Sequence, residues 1–104
     1  MVSGIIKGYK MGKIKTSKQI ERHAKGIANH WRIEILFIIA DNSEITLDRI
    51  SKKLNCNFKT VSEHTRRLVQ AGLINKKYRG QSVLHTLTPY GKIFYKFIKI
   101  FQYS

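Results

Sequence analysis

Apolar residues along this chain recur at helical spacing in five segments, and the polar residues between them supply starts and stops. Thr16-x-x-Gln19 has the form of a capping box, and Ile20, Ala24, Ile27 and Trp31 follow it at i, i+4, i+7 and i+11, which predicts a helix with one apolar side. Gly26 and Asn29-His30 weaken that helix, so a break is expected near residue 29. From Trp31, WRIEILFIIA is almost continuously apolar until Asp41-Asn42-Ser43 stops it. Its length, the lack of a turn signal, and polar residues only at its start (Arg32, Glu34) favour a buried helix over a strand. Glu44-Ile45-Thr46 is short and β-prone. Thr46 then caps LDRISKKL, where Leu47, Ile50 and Leu54 share a face and Asp48 suits the first turn.

Asn55-Cys56 turns the chain into NFKTVSEHTRRLVQAG, residues 57–72. Asn57 is a good N-cap, and Gly72 suits the left-handed position just past a helix. Val61, Thr65 and Leu68, with Val69 beside them, make a semi-apolar stripe. At roughly 100° per residue, Lys59, Glu63, Arg66 and Gln70 project the other way, flanked by Thr60, Ser62 and Arg67. Two short helices joined so tightly form a helix-turn-helix pattern. After Gly72, LINKKYR and SVLHTL read as two strands reversed at Gly80, with Lys76, Lys77, Arg79 and Gln81 around the reversal. Thr88-Pro89 starts a final helix. In it Tyr90, Ile93, Phe94, Phe97, Ile98 and Phe101 line one face, Tyr95 and Ile100 widen it, and Lys92, Lys96 and Lys99 remain on the polar side.

Composition changes this picture mainly through charge. The 104 residues carry a net charge of +14, and they make one small domain. Residues 1–30 hold seven Lys/Arg and one acid; residues 31–58 hold four of each; residues 59–79 hold six basic residues against Glu63 alone. Polyanions are the expected partner, since each neutralised phosphate releases condensed counterions. Residues 1–15, MVSGIIKGYKMGKIK, mix Gly, Lys and Ile without a period and read as a flexible basic arm; Met11 is an alternative start to Met1. No 18-residue apolar run and no signal-peptide pattern occurs, so a cytoplasmic chain is expected.

Arg can bridge the two guanine acceptors, Gln can pair with adenine, and Lys and Ser can hold phosphates. The helix after Asn57 therefore fits a DNA major groove, and the expected contacts are Lys59, Thr60, Ser62, Glu63, His64, Arg66 and Arg67. The plain alternative is a solvated helix face. The hairpin residues Lys76, Lys77, Arg79 and Gln81 would reach the neighbouring minor groove or its phosphates, unless they only guard an exposed strand edge. The apolar arc of the last helix is broader than one small domain needs. A second copy of the chain is the expected cover, with a membrane-associated helix as the competitor.

With these residues placed, the chain resembles the winged helix-turn-helix repressors of the ArsR type and, in wider outline, the MarR-type regulators. TVSEHTRRLVQAGLI, the basic hairpin with Gly80, and Leu87-Thr88-x-x-Gly91 carry the likeness, which spans roughly residues 24–100. The resemblance implies a mainly α fold with a small antiparallel β-wing, about five helices and a two- to three-stranded sheet. It also implies a homodimer paired through its first and last helices, and repression at an inverted-repeat operator. On that basis residues 16–104 are the DNA-binding domain and helix 89–103 its dimerisation element, with Ile20, Ile27, Ile93, Phe94, Phe97, Ile98 and Phe101 at the interface. Thr65 stands where that family usually has leucine.

The metal-sensing members of that family place a Cys-x-Cys-type pair on the helix before the recognition helix, where this chain has LDRISKKL. Others use Asp and His ligands on the last helix, and Tyr90 to Ser104 has neither. His23 and His30, seven apart on a continuous helix, would lie on the order of 10 Å apart, too far to share one ion unaided. No metal and no cofactor is therefore expected. Cys56 reads as a small packing residue, with a redox role open through its neighbours Lys52, Lys53 and Lys59. Ser62 and His64 point apart on a helix and make no catalytic pair, the acids are scattered, and no Gly-rich phosphate loop occurs, so no enzyme is expected. Two alternatives stand beside the regulator: an architectural protein binding DNA without sequence preference, and a winged helix used as a protein-interaction module.

Overall fold

The computed structural model describes residues 14–104 and gives five helices and two strands among them. In chain order they are α1 (Ser17–Ile27), α2 (His30–Asp41), α3 (Leu47–Leu54), α4 (Phe58–Gln70), β1 (Ile74–Arg79), β2 (Ser82–Leu87) and α5 (Pro89–Gln102). The expected basic arm lies almost wholly outside the described residues.

Local chemistry accounts for most of the boundaries. Thr16 and Gln19 form a reciprocal capping box at α1. The break after Ile27 falls where Asn29 caps α2, its side-chain oxygen accepting from Trp31 and Arg32 amides at 2.9 and 3.3 Å. His23 and His30 thus sit on separate helices. Asn57 accepts from Lys59 and Thr60 amides at 2.7 and 3.3 Å to start α4. Its far end closes with the paired bonds of a Schellman motif, Leu73 N–H to Leu68 O and Gly72 N–H to Val69 O, both 3.0 Å. Gly72 there has φ 76°, and Gly80 at φ 60° takes the first central position of the two-residue hairpin turn, as a type II′ reversal requires.

The core is built on α2. Ile35, Leu36 and Ile39 are fully buried beside Ile50 of α3, Val61 and Leu68 of α4, and Leu73 and Ile74 entering β1. The near-continuous apolar run is therefore a helix packed on several sides, touching α4, α3, β2 and α5. β1 and β2 pair antiparallel from Ile74↔Leu87 to Arg79↔Ser82. A single bridge from Ile45 to His85 adds the short β-prone stretch as a third ribbon. Cys56 is half-buried, a free thiol packed against the core.

The Leu87-Thr88-x-x-Gly91 motif joins the hairpin to α5. Thr88 Oγ1 donates to Gly72 O at 2.6 Å and accepts from Gly91 N–H at 2.9 Å. A Cβ on Gly91 would overlap the Leu73 carbonyl oxygen and lie 3.1 Å from its carbon. Only glycine lets α5 start so close to the end of α4. His23 completes the joint: its ring is buried, Nδ1 is 2.6 Å from Ala71 O, and Tyr90 lies against it with centroids 5.1 Å apart.

Candidate nucleic-acid interface

Along one side of α4, Val61, Thr65 and Leu68 are buried at 1% exposure or less. Truncating such a buried leucine typically costs ~2–5 kcal/mol, so this side fixes the rotation of the helix about its axis. Lys59, Glu63, Arg66, Arg67 and Gln70 are consequently exposed on the opposite side, with Thr60 and Ser62 half-buried at its margins.

The exposed cations are ordered, not loose. Glu63 receives Arg66 Nη2 and Nε at 3.0 and 3.3 Å on Oε2, and Arg67 Nε lies 3.4 Å from Oε1. The Arg66 hydrogen bonds, ahead of all other causes, hold the Glu63 carboxyl below its ordinary range. One carboxylate at the centre of the face thus arranges two guanidinium groups.

His64 departs from the expected set. It is half-buried on the flank towards α2, where its Nδ1 accepts from Arg32 Nε at 3.2 Å. Burial, and then the Arg32 charge, push its pKa below the ordinary histidine value. Its Nδ1 is thus engaged with α2, and His64 braces the two helices together at the flank of the outward face.

On the hairpin, Lys76, Lys77, Arg79 and Gln81 are all exposed. Lys77 Nζ and Arg79 Nη2 lie 3.3 and 3.7 Å from the two oxygens of Glu44, a pairing that the sequence pattern did not foretell. Glu44 sits in the turn before α3 at φ 69°. Its amide donates to His85 O at 2.9 Å, and the His85 amide donates to Ile45 O at 3.0 Å. The root of the hairpin is therefore bolted to the turn that precedes the helix-turn-helix.

The expected pairing face divides. Ile20, Ile93, Phe97 and Phe101 are exposed, Phe97 at 60% and Phe101 at 71%, and the last two rings stack at 6.1 Å. Phe94 and Ile98 are half-buried against the chain's own core. Ile27 does not fit: at 8% exposure it is part of that core and offers little surface to a second copy. It keeps its helical spacing with Ile20, but α1 turns that position inward onto α2 and α4. Ile100 and Tyr90 add exposed apolar surface beyond the expected set. No helix among the described residues is long and apolar enough to cross a membrane, and no group of three or more His, Cys, Asp or Glu among them could hold a metal ion.

Residues 30–75 match the family described as winged helix-turn-helix DNA-binding. The transcriptional activator HlyU of Vibrio cholerae is 33% identical over 64 residues, which is 62% of this chain and 58% of that protein. The chain thus spans little more than half the length of that relative. Among solved structures, HlyU from Vibrio cholerae has a TM-score of 0.76 at 26% identity, covering 86% of this chain and 98% of that one. A homodimeric winged helix-turn-helix DNA-binding domain from Mycobacterium bovis, described as a possible ArsR-family transcriptional regulator, has a TM-score of 0.73 at 20% identity, covering 82% and 79%. At that identity the second likeness shows the fold alone.

Proposed function

We propose, on the match of residues 30–75 to a winged helix-turn-helix DNA-binding family and the fold shared with HlyU, that the chain is a winged helix-turn-helix regulator that binds double-stranded DNA site-specifically as a homodimer and regulates transcription. The observation that carries the reading is the locked rotation of α4. A buried Val61–Thr65–Leu68 stripe holds Lys59, Glu63, Arg66, Arg67 and Gln70 outward as one array. Such an array offers bidentate donors for guanine, an amide for adenine and an acceptor for cytosine, the groups that read a major groove. Lys76, Lys77, Arg79 and Gln81 then hold phosphates beside it, where contacts position the protein without specifying sequence.

The exposed face of α5 supplies the pairing surface through Ile93, Phe97 and Phe101, with Ile20 of α1 at its edge. A two-fold dimer would set two α4 helices about 34–36 Å apart, one duplex turn. Residues 16–104 are the working unit, in the cytoplasm, and the simplest regulatory act is repression by occupying an operator. No catalytic step is assigned.

Selection of bound duplexes from random DNA tests the reading. The expected result is an enriched inverted repeat with half-sites about 10–10.5 base pairs apart, preferred over unrelated DNA by at least ~10³. Binding without enrichment would replace regulation with an architectural role, which the net charge of +14 alone would also support. No duplex binding at physiological salt would overturn both.

A further inference from the structure

The junction of α1, α2 and α4 holds a cleft that borders the groove-reading face and shares Arg67 and Gln70 with it. Gly26 and Ala71 form its floor, where a Cβ on Gly26 would overlap that of Ala71. Around an open volume of about 280 Å³ stand Arg22 and Lys25 of α1, Arg32 of α2, and Arg67 and Gln70 of α4. None of the groups lining it is acidic. The nearest carboxylates pair along their own helices, Glu21 with Lys25 at 3.6 Å and Glu63 with Arg67 at 3.4 Å.

Arg32 is held in place. Its Nη1 donates to Lys25 O and Gly26 O, two carbonyls in the last turn of α1, at 3.1 and 3.3 Å, while Nε donates to His64. These bonds use three of the five guanidinium protons and leave those of Nη2. Three guanidinium groups and an ammonium around one small space leave positive charge there that Glu21 and Glu63, paired at its edges, only partly offset, and the Gln70 amide adds a further donor. We propose that this cleft binds a phosphate group. Guanidinium forks match phosphate oxygens bidentately. The space lies at the small end of the roughly 300–1,000 Å³ of small-molecule pockets and is ample for a single phosphate group. The phosphate comes either from the DNA backbone, which rests on the function proposed above, or from a small phosphate-bearing molecule.

The test uses the full chain and the double variant Arg22→Ala/Lys25→Ala, two exposed positions whose loss leaves the core intact. Melting is followed in inorganic phosphate and in chloride at matched ionic strength, and duplex affinity is followed against salt. Phosphate at ten times its Kd should raise the wild-type Tm by roughly 5–10 °C, and the variant should lose that rise. If the occupant is DNA backbone, the variant also binds every duplex more weakly, with a salt slope shallower by about 0.9 for each phosphate it no longer neutralises. If it is a free phosphate, the slope is unchanged and only the Tm effect disappears. Equal melting of wild type in phosphate and chloride with an unchanged slope, or equal phosphate effects on wild type and variant, would overturn the site. Should the wild type bind no duplex at all, the proposed function fails while the phosphate melt still decides the cleft.

Discussion

Glu63 is the most informative single position on the proposed reading face. It is the only acid there, and it holds Arg66 and Arg67 together. Glu63→Gln keeps the side-chain length and one acceptor while removing the charge that ties up the two arginines. In a dimer two carboxylates are neutralised. If each releases one arginine to one more phosphate, the slope of log affinity against log salt steepens by about 1.8. Across a fourfold change, from about 50 to 200 mM salt, that is a roughly twelvefold greater loss of affinity than wild type suffers. Discrimination should move the other way. Where Glu63 accepts from a cytosine amine, the variant should lose about 5–150-fold of its preference for that base. Half-exposed ion pairs add little to folding, so the melting temperature should hardly change. Fluorescence anisotropy on the selected site and on a scrambled duplex, at several salt concentrations, reads all of this. An unchanged slope together with unchanged discrimination would mean that the Glu63 cluster does not face DNA.

Two further outcomes test the framework that carries the site. Gly91→Ala places a methyl against the Leu73 carbonyl and should cost ~1–3 kcal/mol through overpacking, despite alanine's better helix propensity; a Tm equal to or above wild type in a thermal melt would refute the close approach. His85 is fully buried, with Nδ1 donating to Ile45 O at 2.9 Å, and burial, only partly opposed by that bond, holds its pKa below the ordinary histidine value. The folded state therefore binds fewer protons than the unfolded chain once the pH drops below about 6.5. Unfolding free energy in urea should be flat above that pH and decline below it, by at most ~1.4 kcal/mol per pH unit from this ring, until the folded pKa is passed. His64 shifts in the same direction and adds to the decline; stability rising on acidification from pH about 7 to 5.5 would contradict the reading.

The elements were legible because their signals are local. Capping at Thr16, Asn57 and Thr88 and the stripe Val61–Thr65–Leu68 each depend on residues within one or two turns, and each appears in the structure as the sequence implies. Thr65, the departure from leucine, is buried with its hydroxyl lacking a hydrogen-bond partner among the described residues. Ile27 marks where local signals stop. Helical spacing fixes which residues share a face, but not whether that face meets the chain's own core or a second copy. His64 meets the same limit: its place on a basic helix does not reveal that α2 brings Arg32 against it, 32 positions away in sequence.

Helical spacing alone sets Glu63 within reach of Arg66 and Arg67, but only the fold brings Glu44 to Lys77 and Arg79. Of the six acidic residues, Glu63 gathers Arg66 and Arg67, and Glu44 gathers Lys77 and Arg79, one carboxylate for each of the two proposed contact sets. A long flexible cation loses rotamer freedom when it engages a phosphate, about 0.5–1.5 kcal/mol for each side chain immobilised on binding. Arranging the chains beforehand removes part of that loss, but it also neutralises part of the charge that draws DNA in. The balance favours ordering only if geometry matters more than raw attraction, which is the requirement of a sequence reader and not of a nonspecific polycation. The backbone at Glu44 supports the same view. A non-glycine residue at φ 69° is conformationally costly, and glycine or asparagine would fit that turn with less strain. Neither could hold two cations of the hairpin with a single charged side chain.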